Sequence, residues 1–170
     1  YKICHGLFAG KEKLKVMSQV ESRLHSIGLK LPEPAKPLAA YVPTVRTGNL
    51  VFISGQGPKL EGKMAYVGRV GSDLTLEEGK KAAELCALNA LAALKAEIGD
   101  LDKVKRVVKV LGWVNSAPDF TDQPLVMNGA SELLEKIFGE KGKHARSAVS
   151  AHVLPANITV EVEMIVEVED

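Results

Sequence analysis

The sequence predicts an α+β fold, one β-sheet with two helices packed on a single face, and three observations point to it. Two apolar, β-prone runs flank Thr47-Gly48-Asn49, which is a hairpin signal. Two helical segments, one from Thr75 to Ile98 and one from about Asp122 to Phe138, bracket the β-prone run Val104 to Asn115. The chain then closes on the alternating run Ile158 to Glu169. The order hairpin, helix, strand, helix, strand, strand places the helices together against one mixed sheet.

Taken in order, Val20, Leu24 and Ile27 stand at helical spacing and Gly28 stops that short helix. Leu31 to Pro37 holds Pro32, Pro34 and Pro37 and has to be extended and irregular. The hairpin strands are Tyr41 to Arg46 and Asn49 to Ser54. Gly55-Gln56-Gly57-Pro58 breaks the second, and its glycines let backbone approach another chain segment or a ligand. Leu60 to Gly71 reads as a loop or weak hairpin, with neither a dinucleotide nor a P-loop pattern. Thr75-Leu-Glu-Glu78 is a capping box, and the alanine-rich helix behind it ends at Gly99. In Val104 to Asn115, Lys105 and Lys109 fall on one side, where they would pair with the acids of the last strand if the two are neighbours. Pro124 sits in the first turn of the second helix, Gly129 marks close packing and Gly139 is its stop.

The chain has 170 residues, enough for one cored domain. With 46% hydrophobic and 25% charged residues it has a globular composition, and its net charge of +1 gives no global field for nucleic acid or anionic membrane. No run reaches the roughly 18 apolar residues of a membrane span. Cys4 and Cys86 make no CxxC pair, and Cys86 lies in an apolar helical pattern as a reduced core thiol, which fits a reducing compartment. Residues 1–16 open on Tyr1 and are basic. They read as an N-terminal extension (a presequence remnant, an upstream start or an expression leader), with the domain at 17–170. The location expected is cytoplasmic, or organellar if 1–16 is a presequence remnant.

The final strand puts Val160, Val162, Met164 and Val166 on one side and Glu161, Glu163 and Ile165 on the other. A sheet with helices on one face leaves the other open, so a homo-oligomer is expected. His144-Ala-Arg-Ser-Ala-Val149 lies between the last helix and the last strand. An arginine there, followed by a strand of carboxylates, fits two readings: a clamp for an acidic substrate with a base beside it, or an ion pair across the sheet. His144 reads as a surface residue at a strand edge. No His, Cys or carboxylate group has metal-ligand spacing, and Ser147 lacks triad partners.

In Tyr41, Ile53-Ser-Gly-Gln56, Asn128, Ala145-Arg-Ser147 and Val160-Glu-Val-Glu163, taken in that order, the chain resembles the Rid (YjgF) family. These are the reactive intermediate deaminases, once labelled endoribonuclease L-PSP or translation inhibitor. The resemblance covers roughly residues 30–168. It implies a chorismate-mutase-like fold and a homotrimer with clefts between subunits. It also implies cofactor-independent, metal-free hydrolysis of amino-acid enamines and imines, such as 2-aminoacrylate, to 2-keto acids and ammonia. By the resemblance Arg146 clamps the substrate carboxylate and Glu161 positions or activates water. Tyr41, Ser54, Gly55, Asn128 and Ala148 bind substrate, Gly55 and Ala148 through backbone.

The departures concern the pocket. Ala39-Ala40 replaces the family's Gly-Pro, Ala148 replaces a common cysteine, and the segment 58–73 is longer than in short members. Val114 to Phe120 and Asp122-Gln-Pro124 resemble a distinct subgroup. The alternative function is a small-carboxylate binding or regulatory protein without turnover. RNA cleavage is less favoured, since aromatics make up only 5% and no basic stripe is interleaved with them.

Overall fold

The computed structural model describes residues 17–34, 36 and 40–170. Residues 1–16, with Cys4, and Ala35, Pro37, Leu38 and Ala39 lie outside the described residues. Helix α1 (Gln19–Ser26) is capped by Ser18, and Gly28 follows it with φ +78°. Strands β1 (Thr44–Thr47) and β2 (Leu50–Gln56) form the expected hairpin, with Thr47 opposite Leu50 across Gly48-Asn49. Beyond it, β3 (Lys59–Leu60) and β4 (Lys63–Met64) make a small hairpin whose turn residues, Glu61 and Gly62, both have positive φ.

Helix α2 (Leu76–Ile98) starts at the Thr75–Glu78 capping box and stops at Gly99. Strand β5 (Val104–Asn115), helix α3 (Gln123–Phe138), strand β6 (Ala145–Ala151) and strand β7 (Val160–Val168) complete the chain. The sheet order is β1-β2-β7-β5-β6. Only β5 and β6 run parallel, joined through α3. β7 returns antiparallel to both β2 and β5 and so becomes the central strand.

The sequence explains why this packs. Val160, Val162, Met164, Val166 and Val168 of β7 are buried against α2, which answers with Ala82, Ala83, Cys86, Ala87, Ala90 and Ala93. Small residues let the helix lie close on the valine surface. Gly112 leaves room for the Met127 side chain, and at Gly129 a Cβ would run into the backbone carbonyl of Lys80, so α3 touches α2 backbone to backbone. The Cys86 thiol, buried, donates to the Val160 carbonyl at 3.3 Å, and burial pushes its pKa well up.

All of this covers one face of the sheet. The other carries Val45, Phe52, Leu111, Trp113 and Val149 beside Lys109, Glu161 and Glu163, with Val45 55% and Phe52 42% exposed. Lys105 pairs with Glu167 at 3.7 Å, as neighbouring strands allow. Lys109 instead donates to Ser147 at 3.0 Å, because bulges at the start of β5 shift its side chains relative to β7. Among the described residues, no helix is long and apolar enough to cross a membrane and no His/Cys/Asp/Glu group could hold a metal.

Candidate functional site in two halves

The first half lies at the β6 edge of the sheet. Arg146 is in register with Val110, which is fully buried, so its side chain leaves β6 on the helix face. There α3 offers Asn128 and Ser131, three residues apart and hence on one helix face. Arg146 Nη1 donates to Asn128 Oδ1 at 2.9 Å and to Ser131 Oγ at 3.1 Å. Both acceptors are neutral. Among the described residues no carboxylate lies within ion-pair distance of the guanidinium, and Nε and Nη2 have no partner. A half-buried cation whose second edge is open has a pair of N–H groups free to meet a planar acceptor. Ser131, Glu135, Gly142, Lys143, His144 and Arg146 line a concavity of about 260 Å³ beside it. Ala148, two residues along β6, packs against the core.

His144 belongs to this half and is not a plain surface residue. Its Nε2 lies 3.0 Å from Ser131 Oγ and its Nδ1 lies 2.6 Å from the Gly142 carbonyl. Burial holds its pKa below the usual imidazole value; the bond to Gly142 opposes that, and the charge of Arg146 adds to it. Neither Ser131 nor the role of His144 was legible as a motif. The signal there is the spacing Asn128, Ser131 and Glu135, which places three polar groups on one face of α3.

The second half lies around β2 and β7. The bulge in β2 sets Ser54-Gly55 where the register with β7 slips. The Ser54 hydroxyl donates to the Val42 carbonyl at 2.7 Å and its N–H to Pro43 at 2.9 Å, which ties the leader carrying Tyr41 to β2. Tyr41 is 53% exposed. A Cβ on Gly55 would meet the Glu161 carboxylate, whose Cδ lies 2.8 Å from that position. The close approach expected of this glycine is therefore to Glu161. Burial, and then the neighbouring Glu163, raise the Glu161 pKa above the ordinary carboxylate value. Glu163 itself accepts from Trp113 Nε1 at 3.3 Å.

One expectation is overturned. The last-strand carboxylates form no ion pair with Arg146 and share no pocket with it in one chain. β5 stands between β6 and β7, Arg146 leaves the sheet on the helix face, and Glu161 leaves it on the open face. From β2 to β6 is three strand spacings, roughly 14 Å. Of the expected site residues, Arg146, Asn128 and Ala148 are together, Tyr41, Ser54, Gly55 and Glu161 are together, and the sheet separates the two groups.

Similarity to known proteins assigns the class. The family described as YjgF/chorismate mutase-like, putative endoribonuclease, matches residues 21–168. The chain belongs to that family. It is 44% identical over 153 residues to Protein TCP17 of Trypanosoma cruzi, covering 89% of this chain and 96% of that protein. Among solved structures, protein Atu1372 of Agrobacterium tumefaciens, of unknown function, is 47% identical with a TM-score of 0.84, covering 88% of this chain and 93% of that one. A putative endoribonuclease from Shewanella oneidensis is 40% identical with a TM-score of 0.85, covering 88% and 99%. RidA from an Antarctic Psychrobacter is more distant, at 27% identity and TM-score 0.55, covering 80% and 94%. The resemblance seen in the sequence and the chorismate-mutase-like fold both hold.

Proposed function

We propose that the protein hydrolyses enamine and imine intermediates of amino acids, of the 2-aminoacrylate type, to 2-keto acids and ammonia. The observation that carries this is the Arg146 guanidinium: half-buried, fixed by neutral acceptors, and without a carboxylate of its own among the described residues. An acidic substrate supplies the missing partner, and two parallel hydrogen bonds fix its orientation. The second half supplies the base. The enamine tautomerises to the imine, water adds to its C2, and Glu161 takes the proton that water gives up. The raised pKa of Glu161 suits a carboxylate that must accept a proton and return it to the departing nitrogen. The carbinolamine then expels ammonia and leaves the keto acid. The balance is imine plus water giving keto acid plus ammonia, with no redox step. A cytoplasmic setting, where pyridoxal-phosphate enzymes release such intermediates, belongs to this reading.

Because the two halves face apart in one chain, this reading includes an assembly in which Arg146 of one copy meets Glu161 of the next. A homotrimer closed by such head-to-tail contacts also covers the open sheet face. Tyr41, exposed in one chain, would then lie over the shared cleft, and Ser54, Gly55, Asn128 and Ala148 would line it.

The test is keto-acid release from enamine generated in place by a threonine or serine dehydratase. Wild type should accelerate it, and Arg146→Ala should lower kcat/KM by on the order of 100-fold or more with the fold and assembly intact. Retained activity in that variant refutes the clamp. Glu161→Gln should lower kcat far more than affinity, and the reverse pattern would make it structural. If wild type gives no acceleration while still binding small carboxylates, the protein is a binder without turnover.

A further inference from the structure

The hydrogen-bond directions around Arg146 are fixed by chemistry. The Gly142 carbonyl can only accept, so His144 Nδ1 carries a proton and donates to it. In the neutral ring Nε2 is then a bare acceptor, and the Ser131 hydroxyl donates to it. That leaves the Ser131 lone pairs turned to Arg146 Nη1, which donates to them. The chain runs one way, from Arg146 to Ser131 to His144 to the Gly142 backbone. We propose that Ser131 and His144 are positioning residues for Arg146, holding the guanidinium in its receiving orientation while the imidazole is neutral and releasing it when the imidazole is protonated. This rests on reading Arg146 as the carboxylate clamp.

Protonation undoes the arrangement in two ways. Nε2 becomes a donor, so the Ser131 oxygen faces two donors and its own proton must turn elsewhere. A second cation also appears beside Arg146. The charged groups lining the same concavity are Lys143 from the strand's own approach and Glu135 from α3, which lie 3.8 Å apart, and Lys143 is bonded more closely, at 2.6 Å, to Glu140. Burial places the transition below the usual imidazole value of 6.5, so the ring is neutral at pH 7. The affinity for a carboxylate should therefore be full at neutral pH and fall as pH drops through this lowered pKa. Since the clamp acts on bound substrate and transition state alike, the effect belongs in KM and not in kcat.

Two measurements on the intact protein test this. In nitrogen NMR, His144 should be the Nδ1–H tautomer at pH 7, and rotation of the Arg146 guanidinium should be slow. Rotation should quicken in Ser131→Ala, and in wild type as pH falls through the His144 transition. In His144→Gln, whose amide oxygen can still accept the Ser131 proton, it should stay slow throughout. In the keto-acid assay Ser131→Ala and His144→Phe should raise KM about tenfold with kcat nearly unchanged, while His144→Gln keeps the neutral-pH KM and loses its acid rise. An Nε2–H tautomer, or guanidinium rotation indifferent to Ser131→Ala, overturns the proposal. So does an acid rise in KM that survives in His144→Gln. Absence of turnover in wild type would instead refute the deaminase reading, and the NMR measurement would still decide this one.

Discussion

An arginine on the helix face of a sheet is expensive to keep there unless something compensates its charge. At Arg146 the compensation within the chain is partial: an amide oxygen and a hydroxyl on one nitrogen, and nothing on the opposite edge among the described residues. The guanidinium is fixed on one edge and left open on the other, which suits the proposed role of carboxylate clamp. Glu161 is the counterpart. Burial, and then Glu163, disfavour its charged form and raise its pKa above the ordinary carboxylate value, so it becomes available as a base only at higher pH than a free carboxylate. Activity should fall as pH drops through its raised pKa. Glu163→Gln removes one of the two causes, so the acid limb of the kcat profile should move to lower pH, and an unmoved limb would show that Glu163 does not act on it. Arg146 and Glu161 were both singled out in the sequence, but only the family resemblance gave them roles, because the residues themselves fitted an ion pair across the sheet as well. Ser131 and His144 were not legible, because a serine in a helix and a histidine at a strand edge acquire meaning only when α3 lies along β6.

The elements were the most legible part of the chain. Capping at Thr75, the stops at Gly99 and Gly139 and the turn at Gly48-Asn49 are local chemistry, and each sits where the sequence puts it. The bulges of β2 and β5 were not visible, since a one-residue slip leaves no mark in an apolar run. Nor could the sequence tell that β7, last in the chain, becomes the central strand. Gly129 shows how element packing overrides propensity. In an exposed helix, Gly→Ala would gain about 1 kcal/mol. Here the added methyl meets the Lys80 backbone carbonyl, which no rotamer change can relieve. Gly129→Ala should therefore destabilise the fold by about 1–3 kcal/mol, read as a lower denaturation midpoint at unchanged m-value. A midpoint that rises would mean that α2 and α3 separate easily.

At the scale of the whole molecule, the face left open by the helices and the division of the site are one fact seen twice. Val45, Phe52 and Val149 are exposed on a face that also carries Glu161, and Arg146 stands at the far edge, turned the other way. A second copy can cover the first and complete the second. The sequence announced the uncovered face through the alternation in β7, but not the separation of the two halves. That depends on strand order, and strand order is set by long-range pairing that no local pattern records.

In the proposed function Arg146 and Glu161 act together from different copies of the chain, and subunit mixing is the decisive experiment. Arg146→Ala and Glu161→Gln, each folded, assembled and inactive alone, are unfolded together in equal amounts, refolded and assayed beside wild type treated alike. If each site draws Arg146 from one copy and Glu161 from another, random assembly leaves about one site in four with both residues intact, and activity should return to about a quarter of wild type. A mixture as inactive as either parent, with wild type active after the same treatment, would mean that the two residues do not meet across a subunit boundary.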